Sequence, residues 1–283
     1  MVSEAIKKAD VLIEALPYIK NFQDRIFVIK YGGSILSEER VRKSVLEDIA
    51  FLHYTGIRTI LVHGGGPNIT ERLRELKIPT QFIDGIRVTD AATLTVVEEE
   101  LDELNDLLVR ELSALGVTTT GFKSTNRILT ATKKKIKHDY GFVGEVTAYN
   151  KEKIARALES SIPVITPMGV STEGTVLNIN ADEVAFFLAS ALRAEKLVLL
   201  TNVLGVMRNA QDEDSLIPTI TVHEADTLIK EKIIEEGMIP KVKAAVKSIR
   251  EGVGKAHIID AKIPHAILLE IFTKAGIGTE IVQ

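Results

Sequence analysis

Two glycine-rich stretches and a few lysines are the residues of this chain whose types and spacing could do chemistry. Lys30-Tyr31-Gly32-Gly33-Ser34 closes the run RIFVIK (Arg25–Lys30), and His63-Gly64-Gly65-Gly66-Pro67 follows RTILV (Arg58–Val62). Both stand where a strand gives way to a helix. Glycines there let backbone N–H groups approach a ligand closely, and the helix N-terminus behind them favours an anion. Two such loops on neighbouring strands can clasp one polyphosphate, with Lys30 beside it. The competing reading is a pair of tight turns in which only glycine tolerates φ > 0.

Three further segments carry polar residues where structure alone does not ask for them. Arg87, in Gly85-Ile86-Arg87-Val88-Thr89, can reach a pocket and hold a carboxylate bidentately, or it is an ordinary surface arginine. Asn178, Asn180 and Asp182 stand at the start of the apolar stretch Ala181–Leu192, and helix capping requires only one of them. Lys241 follows Pro240 at a helix start, where a positive charge opposes the helix dipole. Positions that break a local rule are candidates for function. Other motifs fail. Gly116–Ser124 misses a Walker A by one residue, with Phe122 where the lysine belongs, and no G-x-G-x-x-G or G-x-S-x-G is present.

These residues need a scaffold, and the periodicity supplies one. Buried-strand runs at Arg25–Lys30, Arg58–Val62, Ile162–Thr166, Lys196–Leu200 and Ala256–Ile259 alternate with helical spacing over Glu38–Thr55, through Ile69, Leu73 and Leu76, over Ala181–Leu192 and over Ala266–Phe272. Continuous apolar strands between helices predict a mostly parallel sheet covered on both faces, an α/β fold. Ile128–Ala148 reads as strands and turns on the domain's edge, with Lys133-Lys134-Lys135 as a solvated hairpin and an anion site as the alternative. Asp212-Glu213-Asp214 reads as a solvated turn. Before the first strand, Val11, Leu12, Ala15 and Leu16 form an apolar stripe that Pro17 interrupts. An amphipathic terminal helix of this kind packs on its own domain or on another subunit.

Composition narrows the chemistry. The 283 residues hold 35 Lys+Arg against 39 Asp+Glu, a formal charge of -4, and no cysteine. Thiolate nucleophiles, zinc–thiolate sites and iron–sulfur clusters are thereby excluded. The acidic balance argues against a general nucleic-acid binder. No apolar run approaches a membrane span, and Met1–Asp10 has no signal-peptide core, so a cytoplasmic protein is expected. The sequon Asn68-Ile69-Thr70 is read as unmodified.

KYGG, HGGGP, GIRVTD, NINAD and GMIPK, in this order, resemble the acetylglutamate kinases of the amino acid kinase family from about Val11 to the C-terminus. LLTNVLGV (Leu199–Val206) and Ile277-Gly278-Thr279 resemble that family's nucleotide-binding half. The resemblance implies an αβα sandwich around a central, mainly parallel sheet. It implies an N-terminal helix over 1–24 for oligomerisation or regulation, an amino-acid-binding half over 25–194 and a nucleotide-binding half over 195–283. It implies ATP-dependent phosphorylation of the side-chain carboxylate of N-acetyl-L-glutamate, in arginine biosynthesis. Lys30 and Lys241 would stabilise the transferring phosphoryl group, with Asp182 holding both. Gly65, Gly66, Arg87 and Asn178 would bind the acyl amino acid. Gly32, Gly33, Gly64, Asn202, Gly205 and Met238 would meet the nucleotide or its phosphates. Mg²⁺ would ride on the ATP phosphates, with no protein metal site. VLIEALPYIKNF (Val11–Phe22) resembles the helix that interlaces dimers into hexameric rings in arginine-inhibited members, and Tyr18, Lys196, His265, Glu270 and Gly276 match positions near their arginine site.

A carboxylate nucleophile is already ionised at neutral pH, so this chemistry needs positive charge and positioning but no general base. Two departures from the family pattern stand out. Thr118–Asn126 replaces a G-x-x-G-x-D-G segment, and in Glu98–Asp106 only Asn105 fits an Asn-Lys pair. Asn202 with Leu204 stands where relatives often carry Asp. The first departure leaves two alternatives open: a kinase for another N-acylated or carrier-linked acidic amino acid, such as N-succinylglutamate or aminoadipate, or a catalytically silent ligand-binding homologue.

Overall fold

The computed structural model describes residues 2–134, 138–209, 211–234 and 237–283. In chain order it runs α1 (Val2–Phe22), β1 (Ile26–Tyr31), α2 (Gly33–Leu36), α3 (Glu39–Tyr54), β2 (Arg58–His63), α4 (Gly66–Glu75), β3 (Phe82–Ile83), β4 (Ile86–Arg87), α5 (Ala91–Ala114), β5 (Thr119–Phe122), β6 (Leu129–Lys133), β7 (Val143–Tyr149), α6 (Lys151–Ser160), β8 (Ile162–Ile165), β9 (Met168–Val170), β10 (Val176–Ile179), α7 (Ala181–Ala191), β11 (Lys196–Thr201), β12 (Thr219–Thr221), α8 (Val222–Lys230), α9 (Ile239–Arg250), β13 (Lys255–Asp260), α10 (Ala266–Phe272) and β14 (Thr279–Val282). The expected strands and helices sit within a residue or two of where periodicity puts them.

One sheet of order β12-β14-β13-β11-β1-β2-β8-β5 crosses the molecule. It is parallel except where β14 meets β13. Side chains alternate across β1. Phe27, Ile29 and Tyr31 enter a core shared with α3, α5 and α10, while Val28 enters the core built by α6, α7, α8 and α9. Helices therefore cover both faces, which makes the expected αβα sandwich. The same alternation puts Lys30 on the α7/α9 face. β1 is also where the strand order turns back, with β2 on one side and β11 on the other. In open α/β sheets the crevice beyond the carboxyl ends of such strands is where ligands bind.

Ile128–Ala148 forms strands and turns outside the central sheet. β6 and β7 pair as a hairpin and close with β9 and β10 into a small barrel, in which Gly144 and Gly169 let Leu177, Ala131 and Ile179 pack against bare backbone. Pro17 lies inside α1, which runs on to Phe22 as the expected N-terminal helix does. Among the described residues of α1, Ala15, Tyr18, Ile19 and Phe22 pack on the α3/α10 core, whereas Leu16 is exposed. Burial of that face outweighs the one backbone hydrogen bond Pro17 cannot donate. The side chains of Val11 and Leu12, and residues Lys135 and Lys137, lie outside the described parts. No helix among the described residues is long and apolar enough to cross a membrane.

Candidate active site

Both glycine loops leave the carboxyl ends of adjacent parallel strands, β1 and β2, and they touch. None of Gly32, Gly33, Gly64, Gly65 and Gly66 has a positive φ, so the tight-turn reading fails. Close approach is what excludes a side chain at Gly33, Gly64 and Gly65. A Cβ on Gly33 would stand 2.8 Å from the Gly65 nitrogen and 2.9 Å from that of Gly66. A Cβ on Gly64 would stand 2.9 Å from the Gly33 nitrogen, and one on Gly65 would collide with Leu101 and Leu104 of α5. Gly33 and Gly66 open α2 and α4, whose first-turn N–H groups have no partner inside their own helices. Among the described residues, nothing accepts a hydrogen bond from the Gly33, Gly65 or Gly66 nitrogen. The result is a patch of unspent N–H donors.

Three charges cluster on the α7/α9 side of the sheet, and Lys30 Nζ would lie 3.7 Å from a Cβ on Gly32 of the first loop. Asn180 caps α7 by accepting from the Asp182 N–H at 2.7 Å, which sets Asp182 in the first turn. One Asp182 oxygen lies 2.8 Å from Lys30 Nζ, an ion pair without good hydrogen-bond alignment, and the other accepts from Lys241 Nζ at 2.8 Å. Burial would push the Asp182 carboxyl up, but Lys30 and Lys241 overcome it and hold the group below the ordinary carboxylate range. Lys241 sits in the first turn of α9, and the Asp182 carboxylate compensates its clash with the helix dipole. The cluster carries one negative and two positive charges, so it presents net positive charge to a ligand.

Arg87 is not a surface residue. It is only 9 % exposed, stacks over Phe82 at 4.7 Å and donates through Nη2 to Gly66 O at 3.1 Å and Thr70 Oγ1 at 2.7 Å. Its Nη1 is buried with no described partner, and burial pulls the guanidinium below its usual pKa. A buried, unpaired donor of this kind matches a ligand carboxylate. Asn178 is tied to Arg87 through buried Thr89. Asn178 Nδ2 donates to Thr89 Oγ1 at 3.2 Å, and that hydroxyl donates to Arg87 O at 3.1 Å. Lys30, Asp182 and Lys241, both glycine loops, Arg87 and Asn178 thus form one connected site.

The remaining candidate residues stand on α1, β11 and α10, at the start of α9, and on the segments beside them. Asn202 is exposed just past β11. Gly205 is buried, and a Cβ there would meet Thr279 and Leu216. Met238 stands immediately before α9 and packs on the core. Tyr18, Lys196, Glu270 and Gly276 gather where α1 meets β11 and α10. Tyr18 and Lys196 both approach Phe22, and Gly276 is held against the Glu270 carboxylate with φ 63°. Buried His257 joins them, accepting from Lys196 Nζ at 2.9 Å and meeting Glu270 at 2.7 Å. Burial brings Lys196 down to about 8. His265 is held by a different partner, Asp48, at 2.7 Å.

Several of these residues could not be found from the sequence. His63, His257 and Thr89 are buried polar residues on or beside strands, indistinguishable there from filler. Lys134 was expected to be solvated, yet its side chain is 9 % exposed and bonds Glu183 at 2.5 Å, next to Asp182. The departing residues of α5 and the β5 end pair with each other. Asp102 accepts from Ser124 N and Oγ, and Asp106 accepts from Lys123 Nζ at 2.6 Å. Among the described residues no group of three acidic or histidine side chains could hold a metal ion, so a cation here would depend on ligands other than such a cage.

The amino acid kinase family model matches residues 25–260. Acetylglutamate kinase of Desulforamulus reducens is 44 % identical over 282 residues, covering 98 % of both chains. That of Thermosynechococcus vestitus is 46 % identical over 274 residues, covering 96 % of this chain and 93 % of its own. A protein of known crystal structure from Streptococcus mutans UA159 superposes with a TM-score of 0.74 at 34 % identity, covering 91 % of this chain and 98 % of that one. With a family match across most of its length and relatives this similar end to end, the chain belongs to the amino acid kinase family.

Proposed function

We propose that this protein transfers the γ-phosphoryl group of ATP to the side-chain carboxylate of N-acetyl-L-glutamate, giving N-acetylglutamyl phosphate and ADP. The observation that carries this reading is the Lys30–Asp182–Lys241 cluster, which reaches Gly32 through Lys30, together with the unspent N–H groups of two touching glycine loops. The transferring group spreads negative charge over its equatorial oxygens, and fixed N–H dipoles and ammonium groups stabilise that charge without reorganising. Arg87 Nη1 holds the α-carboxylate of the acyl amino acid, and Asn178 orients its amide. That leaves the side-chain carboxylate free to attack in line. Mg²⁺ carried on the nucleotide phosphates supplies further charge neutralisation, matching a site whose own donors are N–H groups and lysines.

Asp182 holds both lysines in place through its two oxygens. Intact Lys30, Asp182 and Lys241 speak against a silent homologue. The mutual pairing of Asp102, Asp106, Lys123 and Ser124 supports an unchanged substrate, because these departures satisfy each other. The same reading assigns the half over 25–194 to the amino acid and that over 195–283 to the nucleotide, including Asn202, Gly205 and Met238. It takes the enzyme as cytoplasmic, built as a trimer of dimers through α1, and inhibited by arginine bound near Tyr18, Lys196, His265, Glu270 and Gly276. Exposed Ile13 and Leu16 on α1 support the assembly.

The test is ATP consumption with N-acetylglutamate, N-succinylglutamate, N-acetylaspartate and N-acetylaminoadipate. Turnover confined to N-acetylglutamate is expected. Turnover only with another of these, or ligand-induced stabilisation without turnover, overturns the proposal. Light scattering with and without residues 1–24 tests the assembly, and activity unchanged in millimolar arginine refutes the inhibition.

A further inference from the structure

His63 ends β2 immediately before the second glycine loop, is 0 % exposed, and has no part in the proposed phosphoryl chemistry. Its ring touches three groups. Nδ1 lies 3.1 Å from Gly64 O, Nε2 lies 3.3 Å from Thr166 Oγ1 and 3.4 Å from Asn105 Nδ2, and Asn105 Nδ2 also donates to Val164 O at 2.9 Å. A carbonyl can only accept, so Nδ1 carries the proton. An amide nitrogen can only donate, so Nε2 is bare. Both ends of the ring select the same neutral tautomer. Burial agrees, pulling the imidazole down to about 4 despite the Gly64 carbonyl.

The Gly64 carbonyl belongs to the same planar trans peptide as the Gly65 N–H. The two groups point in opposite directions, so a hydrogen bond that holds the carbonyl toward His63 turns the Gly65 N–H away from it. The Gly65 and Gly66 nitrogens lie beside Gly33, where a Cβ would be only 2.8 and 2.9 Å from them. Asn105 is the one residue of the rewritten helix face that fits the family pattern. It is fully buried, and its amide spans the ring and the β8 backbone. The geometry points to His63, in its Nδ1–H form and braced by Asn105, as a positioning residue that locks the Gly64–Gly65 peptide with its N–H toward the phosphoryl group.

This inference rests on the kinase reading for its rate effects but not for its geometry, and the experiment separates the two. In the intact protein, two-bond ¹H–¹⁵N spectra of the histidine rings, with His63→Asn identifying the His63 signal, report the tautomer directly. Protonated Nδ1 with bare Nε2 is expected, and an Nε2–H ring overturns the proposal whether or not any substrate turns over. For the rate, Asn places an amide N–H close to the position of Nδ1, so His63→Asn keeps kcat within about fivefold. His63→Leu, which lacks the donor, lowers kcat on the order of 100-fold, as loss of a transition-state N–H contact does, with KM for ATP nearly unchanged. Folded Asn and Leu variants with equal kcat refute the positioning role. A wild-type protein that phosphorylates none of the acyl amino acids refutes the kinase reading instead.

Discussion

Asp182→Asn removes one charge and leaves two lysines facing each other, and the cost can be worked from the geometry. Each ammonium lies 2.8 Å from a different oxygen of one carboxylate, and side-chain exposures are 13 % for Lys30, 28 % for Lys241 and 17 % for Asp182. At an effective dielectric of about 20, a unit pair at roughly 3 Å attracts by ~5 kcal/mol before desolvation is subtracted, and two ammonium groups roughly 5 Å apart repel by ~3 kcal/mol. Breaking a buried pair from one side costs about 3–5 kcal/mol. Partial exposure favours the lower end, about 3 kcal/mol, which is roughly 100-fold in rate if it is all felt in the transition state. The expected result is a kcat near 1 % of wild type in an ADP-release assay, and a melting temperature lower by about 2–4 °C per kcal/mol lost. ADP should raise the variant's melting temperature more than the wild type's, because its phosphates replace the missing negative charge. The sign with pH is also set. A carboxyl held below its unfolded pKa of about 3.9 stabilises fully above that pH and loses the contribution as pH falls below it. The gap in stability between wild type and variant therefore stays constant at neutral pH and closes only below about pH 4. A variant within threefold of wild-type kcat and with the same melting temperature would refute the electrostatic account of the cluster.

Gly33→Ala pushes a methyl group onto two backbone nitrogens, so it should abolish turnover and lower the melting temperature. Gly66→Ala points into open space and should leave stability within about 0.5 kcal/mol, both read by thermal denaturation. Arg87→Lys loses the planar fork, and KM for the acyl amino acid should rise at least tenfold while KM for ATP holds. Equal effects on both KM values would exclude a carboxylate-binding role. Lys196, brought by burial to about 8 against about 10.4 in an unfolded chain, takes up fewer protons folded than unfolded between those values. Wild-type stability relative to Lys196→Met should therefore rise by about 2 kcal/mol from pH 8 to 10 in denaturant titrations, and a flat difference would contradict the buried ammonium.

Much of the scaffold was legible because its signals are local. Continuous apolar runs such as RIFVIK and KLVLL can only be strands buried on both faces, and Ala181–Leu192 can only be a packed helix. Asn178, Asn180, Asp182 and Lys241 stood out as candidates because they go beyond or against local helix rules, and Lys30 with the glycine loops because they end strands, whereas spacing left Arg87 open between pocket and surface. The rest rests on contacts distant in sequence. Whether Lys134 is solvated depends on Glu183, 49 residues away, and Pro17 stays helical because Phe22 and Tyr18 find a core supplied by α3 and α10.

The amino-acid sequence by itself determined the α/β class, the strand–loop–helix units and the residues able to handle phosphate, since periodicity and residue chemistry are properties of short segments. Only the tertiary structure decided why Gly33 and Gly64 are glycines. Their φ values are ordinary, and it is the meeting of two loops from strands 32 residues apart in register, Tyr31 beside His63, that leaves no room for a Cβ on either. The tertiary structure also decided that the departures at Asp102, Asp106, Lys123 and Ser124 satisfy one another, and that His63 turns a peptide toward the site. Such relations exist only once separate strands are packed side by side, where an ångström of backbone approach counts for more than any residue's own preference.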